Sequence, residues 1–338
     1  MKRVLITMQE GSTRRSFFPE EVKDYLAAHF DVVWNETGKK MTKEDLKPIL
    51  PDFDAVMTGW GSEFYDAELL GENPRLKLIA HTGGTVGNLL DASVYDAGVR
   101  VLSENQIYAE SVAEGTIAFL LAAQRSIPDY VQIVRQGGWK EDPAPFGSWI
   151  SLMDAKVGLV GFGSITRYLI PLLYAFRCDI RLFSHHAPDD EYLSRYGIKM
   201  MDLNDLFAEC DIVSVHSALN AENRALIGEE QLSKMKDGAL LLNTSRGAVI
   251  DEAALLDAAG KGRIRIMLDV FHQEPLPKDS PLRTLPNVYC IPHMGGPTMD
   301  RRGYGTMELA KQMVRFFDGE TDLPLEISRA VSSRMTKM

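Results

Sequence analysis

Cysteine is scarce in this chain: only Cys178, Cys210 and Cys290 occur among 338 residues. An odd, sparse set without paired metal-ligand spacing argues against a disulfide scaffold or a metal ribbon and suggests reduced thiols in a cytoplasmic protein. Long apolar runs are missing too. No stretch approaches the roughly 20 apolar residues of a membrane span, and the run after Met1-Lys2-Arg3 is too short for a signal-peptide core. Basic excess is absent: 37 Lys and Arg stand against 47 Asp and Glu, a formal net charge of −10. That balance argues against a nucleic-acid partner, which would normally meet a basic face. It does not argue against a small anionic substrate, which a local cation can hold. Repeats and low-complexity tracts are also lacking.

What remains is ordinary globular composition, 45% hydrophobic and 25% charged, on a chain long enough for two buried cores. Short apolar runs alternate with amphipathic segments, the pattern of an α/β protein with parallel sheets. Strands are expected at Val4–Met8, Asp31–Trp34, Ala55–Thr58, Leu76–Ala80 and Val99–Leu102. Thr42 and Asp45 read as a capping-box variant. Val112–Arg125 reads as a long buried helix, and residues 137–150, rich in Gly and Pro with two tryptophans, as an arm or linker. Six further strands are expected: Lys156–Val160, Ile180–Phe183, Ile212–His216, Ala239–Asn243, Ile264–Asp269 and Val288–Ile291. They match a dinucleotide-binding sheet. A last amphipathic helix spans Met299–Phe317.

Gly161-Phe162-Gly163 follows an apolar strand and precedes a helix expected at Ile165–Phe176. In that context backbone amides at a helix start can face a pyrophosphate, and glycine lets it approach. Thr166 replaces the third glycine of the usual fingerprint, which normally serves helix–strand packing. At the end of the next strand Ser184 stands where a ribose-binding acid would sit, followed by His185 and His186. Without a carboxylate there, nothing repels a 2′-phosphate, so NAD and NADP both stay open.

Three later segments each end an apolar strand: Asn243-Thr244-Ser245-Arg246-Gly247, Asp269-Val270-Phe271-His272-Gln273-Glu274-Pro275 and Ile291-Pro292-His293. Arg246 is a fixed cation able to hold a carboxylate in two parallel hydrogen bonds. His293 can pass a proton to a carbonyl oxygen near neutral pH. Glu274 can orient and charge the imidazole. Singly, Arg246 and Glu274 are more often solvated loop residues and a lone histidine is more often structural; jointly they give an anion anchor, a proton carrier and its partner along one sheet edge.

With these motifs the chain resembles the D-isomer-specific 2-hydroxyacid dehydrogenase family, most strongly at Val157–Thr166, Met235–Glu252 and Leu268–Thr298. The resemblance implies Arg246 for substrate binding, His293 as acid/base and Glu274 as its partner. It implies cofactor contacts at Gly161, Gly163, Ser164, Ile165, Ser184, Ser217, Ala218, Asn223, Thr244 and Asp269, the last near the nicotinamide carboxamide. It also implies two Rossmann-like domains: a flavodoxin-like substrate domain of residues 1–105 and 295–338, and an NAD(P)-binding doubly wound sheet over 106–294. An active-site cleft that closes by a hinge, and a homodimer, belong to the same expectation.

The expected activity is interconversion of a small 2-oxo acid, of glyoxylate or hydroxypyruvate type, with its D-2-hydroxy acid. Rival readings are a dinucleotide-sensing corepressor-like protein and a phosphite-type dehydrogenase; Glu274 speaks against a formate enzyme, where Gln is usual. Departures lie in the substrate domain. The loop His81-Thr82-Gly83-Gly84-Thr85-Val86-Gly87-Asn88 differs from the usual Val-Gly turn, yet amides of Gly83, Gly84 and Thr85 can still grip a carboxylate. His81 reads as structural more readily than as a substrate contact. The segment Val56–Gly61 lacks the arginine of phosphate-reading relatives, which argues against 3-phosphoglycerate, and leaves Trp60 as an apolar wall or core filler. His272 replaces an acid common in its loop and receives no role.

Overall fold

The computed structural model describes residues 1–147 and 150–336, so Trp149 of the expected arm lies outside the described residues. The chain divides into two compact units, one of Met1–Tyr108 with the stretch from Pro297 onward, the other Ala109–Gly296.

The first unit holds a five-stranded sheet of β1 (Lys2–Ile6), β2 (Phe30–Trp34), β3 (Ala55–Thr58), β4 (Leu78–His81) and β5 (Arg100–Ser103), in the order β2-β1-β3-β4-β5. Every pairing is parallel, giving the flavodoxin-like order. Side chains alternate along each strand, so Val4, Ile6, Leu78 and Ala80 enter one core while Leu5, Val56, Ile79 and Val101 enter another. Helix Met299–Phe317 supplies Leu309, Ala310 and Met313 to the first of these. β1 begins two residues before the expected strand, because Lys2 and Arg3 join the backbone ladder opposite Phe30 and Asp31. Side-chain polarity marks burial, and ladder ends need not coincide with it. The capping box is present: the Thr42 hydroxyl accepts from the Asp45 amide at 3.4 Å, and Asp45 accepts from the Thr42 amide at 3.0 Å.

The second unit holds a seven-stranded parallel sheet in the order β12-β11-β10-β9-β6-β7-β8. Its strands are β6 (Lys156–Val160), β7 (Asp179–Phe183), β8 (Lys199–Met200), β9 (Ile212–Val215), β10 (Leu240–Asn243), β11 (Arg265–Leu268) and β12 (Val288–Cys290). The order reverses between β6 and β9, where doubly wound sheets bind ligands. β8 was not expected: two exposed residues at a sheet edge are too few to show an alternating pattern. The helix expected from Val112 begins at Asn105 and ends at Gln124. A further helix, Ile127–Arg135, follows the left-handed turn at Ser126 and buries none of its residues. In the expected arm, Phe146 folds back and stacks on Tyr289 at 3.6 Å, whereas Trp139 stays 62% exposed. Among the described residues no helix is long and apolar enough to cross a membrane, and no group of three or more His, Cys, Asp or Glu is placed to hold a metal.

Candidate active site

β6 ends directly at Gly161, whose φ of 104° suits glycine and whose added Cβ would lie 2.8 Å from the Ser217 amide nitrogen. Sequence and topology thus bring the β6 turn and the β9 loop into close approach. Gly163 caps helix Ser164–Ala175, and a Cβ there would meet nothing within 4 Å, leaving an open cradle. Ser164 and Ile165 form the first turn, where the helix dipole favours an anion. The fingerprint's missing glycine is compensated: buried Thr166 donates its hydroxyl to the Gly161 carbonyl at 2.9 Å, fastening the turn.

The Ser217 hydroxyl donates to Val160 at 3.3 Å, and its carbonyl accepts from the Ser245 hydroxyl. Ala218 accepts from the Asn223 side-chain amide at 3.0 Å, leaving the buried Asn223 Oδ1 without a partner. Neighbouring His216 shares a 2.8 Å hydrogen bond with Ser214 through Nε2, while its Nδ1 is buried and unpartnered. Burial pushes this imidazole down to about 4, so it is neutral. Thr244 lies 3.5 Å from the Thr116 hydroxyl. Ser184 is occupied locally, donating to the His186 carbonyl at 3.0 Å and accepting from the His186 amide at 3.1 Å. The glycine cradle, helix start and orphaned polar atoms fit a dinucleotide.

The three chemical residues gather through strand register. Asn243 pairs with Leu268, and Leu268 with Cys290, so the loops bearing Arg246, Glu274 and His293 leave adjacent strand ends. Glu274 Oε2 lies 2.6 Å from His293 Nδ1, and its other oxygen accepts from the Phe271 amide at 3.0 Å. A carboxylate can only accept, so Nδ1 carries the proton and Nε2 is left to exchange one. The pair is 48% and 36% exposed, accessible to a substrate. His293 sits in left-handed backbone at φ 50°, a strain that costs about 1–2 kcal/mol and is typical of functional loops. Arg246 donates to the Ser245 carbonyl at 2.6 Å. Burial lowers its pKa, opposed by the Glu274 charge, yet a guanidinium stays protonated.

Several positioning roles escaped the sequence reading, which took Asp269 only as a cofactor contact and gave His272 no role. Asn243 closes β10 by donating to the Arg246 carbonyl at 3.0 Å and accepting from the Ser245 amide at 2.9 Å. A buried amide ending an apolar strand was the available signal. Asp269 accepts from the amides of Met294 at 2.7 Å and Gly295 at 2.9 Å, fixing the loop beyond His293. Burial raises its pKa, and those two amides oppose the rise. Gly247 allows the Phe271–His272 backbone to pack against it, since a Cβ would sit 2.1 Å from the Phe271 carbonyl carbon. His272 Nε2 bonds the Ile250 carbonyl at 2.8 Å, a structural anchor.

In the first unit, the amides of Gly83, Gly84 and Thr85 meet no acceptor among the described residues, while the Gly83 and Gly84 carbonyls are held by Ser103 and Asn105 at 2.7 Å each. His81 is buried, shares a 2.9 Å bond with Thr58 and is pushed down to about 4 by burial, which makes it a neutral structural group. Trp60 is 48% exposed, so it does not fill core.

The model of the D-isomer specific 2-hydroxyacid dehydrogenase NAD binding domain matches residues 117–295. The chain is 32% identical over 287 residues to D-3-phosphoglycerate dehydrogenase of Methanocaldococcus jannaschii, covering 84% of this chain and 54% of that protein. It is 32% identical over 293 residues to glyoxylate/hydroxypyruvate reductase B of Pectobacterium atrosepticum, covering 84% and 88%. The chain thus spans about half the length of the first relative and most of the second. Among solved structures, the TT0316 protein from Thermus thermophilus matches with a TM-score of 0.77 at 27% identity, covering 96% of this chain and all of that one. The chain belongs to the D-isomer specific 2-hydroxyacid dehydrogenase family of NAD(P)-dependent oxidoreductases.

Proposed function

We propose that this protein interconverts a small 2-oxo acid and its D-2-hydroxy acid, with His293 as acid/base. The observation that carries this reading is the 2.6 Å Glu274–His293 pair at the strand end beside the Arg246 loop. Arg246 holds the substrate carboxylate through its planar guanidinium. Nε2 of His293 gives a proton to the carbonyl oxygen in reduction and takes it back in oxidation. Glu274 fixes the ring's orientation and its tautomer.

Gly161 and Gly163 admit the cofactor's pyrophosphate, and the Ser164 and Ile165 amides bind it. Ser217, Ala218, Asn223, Thr244 and Asp269 are proposed to line the remaining length, with Ser184 at the ribose end. When bound, NAD(P) supplies or accepts hydride at substrate C2. The reading favours glyoxylate or hydroxypyruvate as substrate, in line with the reductase relative whose length the chain nearly covers. A spectrophotometric screen of 2-oxo acids with NADH and NADPH in parallel tests it. Turnover of a 2-oxo acid is expected, and its absence with both cofactors would overturn the proposal.

A cytoplasmic homodimer is part of the same reading. Ile127, Val131 and Val134 form an exposed apolar stripe at helical spacing, 43–52% accessible, with Trp139 exposed nearby in sequence. Light scattering at twice the chain mass supports this; a monomer at micromolar concentration contradicts it.

A further inference from the structure

Beside the ends of β10 and β11 the second unit holds a cavity of about 460 Å³, lined by Gly247, Glu252, Leu255, Phe271, His272 and Leu276 among others. One wall is the loop that carries Glu274, residues 270–277, and another is the start of helix Glu252–Lys261. A loop beside a void lacks the close packing that holds a core segment in place, so its position rests on its hydrogen bonds. At its near end the Asp269 amide donates to the Asn243 carbonyl at 3.0 Å. At its far end Arg283 donates to the Leu276 and Pro277 carbonyls at 2.6 and 2.8 Å. Between those ends, among the described residues, only one hydrogen bond leaves the loop besides the Glu274–His293 pair itself: His272 Nε2 to the Ile250 carbonyl, at 2.8 Å.

That anchor is firm. A carbonyl can only accept, so Nε2 carries the proton and donates. Ile250 is fully buried and closes the turn Gly247–Val249 that follows Arg246. On either side of it, the Val249 carbonyl accepts from the Ile227 amide at 3.1 Å and the Asp251 amide donates to the Ile227 carbonyl at 2.8 Å. The ring's other nitrogen lies 4.0 Å from the Glu252 carboxylate. His272 itself sits between two groups of the catalytic pair. The amide of Phe271 donates to Glu274 at 3.0 Å, and Glu274, two residues on, lies 2.6 Å from His293 Nδ1. All of these groups belong to the second unit. Bulk alone does not account for an imidazole here, because an apolar side chain would leave the buried Ile250 carbonyl without the one donor it has among the described residues.

Resting on the proposed reaction, we infer that His272 is a positioning residue for it. Its bond to Ile250 ties the Glu274 loop, across the cavity, to the segment that carries Arg246, and so keeps Glu274 in line with His293. The N–H donor carries this role.

Three variants separate the donor from the bulk. His272→Gln keeps a donor at similar reach, His272→Leu keeps bulk without a donor, and His272→Ala removes both. With a 2-oxo acid that the wild type reduces, kcat per bound cofactor is expected to fall about tenfold or more in the Leu and Ala variants, the scale of one hydrogen bond to a buried group. The Gln variant should recover most of that loss, and cofactor Kd should stay near native in all three. Hydrogen exchange over residues 269–276 should quicken in the Leu variant and not in the Gln variant. Native kcat and native exchange in His272→Leu, a Gln variant as impaired as Leu, or a parallel loss of cofactor affinity overturns the inference. Exchange needs no substrate, so the two readings can fail separately. Quickened exchange in His272→Leu, in a protein that reduces no 2-oxo acid, would sink the reaction and spare the tie; undiminished turnover by His272→Leu would do the reverse.

Discussion

Replacing Gly247 by alanine tests how closely the catalytic loops are packed. The added methyl would lie 2.1 Å from the Phe271 carbonyl carbon and 2.4 Å from the His272 amide, against an ordinary contact of 3.4 Å or more. The two loops must therefore part by about 1.3 Å, and both opposing atoms are backbone that cannot rotate away. Overpacking of this kind costs about 1–3 kcal/mol. The displaced segment also carries the Phe271 amide that holds Glu274, and Glu274 holds His293. Misplacing a catalytic group by roughly 1 Å costs on the order of 10²-fold in rate. Gly247→Ala should thus keep cofactor affinity nearly intact, lower kcat by about two orders of magnitude and lower Tm by several degrees. Stopped-flow turnover, cofactor titration and thermal unfolding on one preparation provide the measurements. A variant with native kcat and native Tm would refute the loop-packing account.

Asp269→Ala removes the acceptor for one buried and one part-buried amide and should cost about 1–3 kcal/mol in urea unfolding; an unchanged midpoint would show that the His293 loop is held otherwise. Glu104 is raised well above its ordinary value by burial, so the folded state keeps a proton that the unfolded state releases. Stability should therefore fall as pH rises above about 4.5, by about 1.4 kcal/mol per unit, until the folded-state pKa is reached. Glu104→Gln retains an acceptor for Thr306 and should flatten that fall and raise Tm at pH 7. Equal pH dependence in both proteins would contradict a buried neutral acid.

Strand-end chemistry was legible because it is local. An apolar run, a Gly-x-Gly turn and a charged loop each occupy a few residues, and parallel pairing at Asn243, Leu268 and Cys290 places their ends side by side. What was illegible is non-local. β8 offers only two exposed residues, and the helix Ile127–Arg135 hid inside a stretch without a buried face. Thr166 looked like a defect in the glycine fingerprint until its bond to the Gly161 carbonyl appeared. Arg302 meets the Trp60 ring from a distant part of the chain, and no periodicity encodes that contact.

The most direct test of the central claim is the turnover of His293→Ala with a 2-oxo acid that the wild type reduces. Loss of the acid/base should abolish measurable turnover, a drop of about 10²–10⁴-fold or more, while fluorescence titration shows nearly native NAD(P)H affinity. Full activity in that variant would contradict the assignment of His293 as the proton carrier and, with it, the mechanism proposed here.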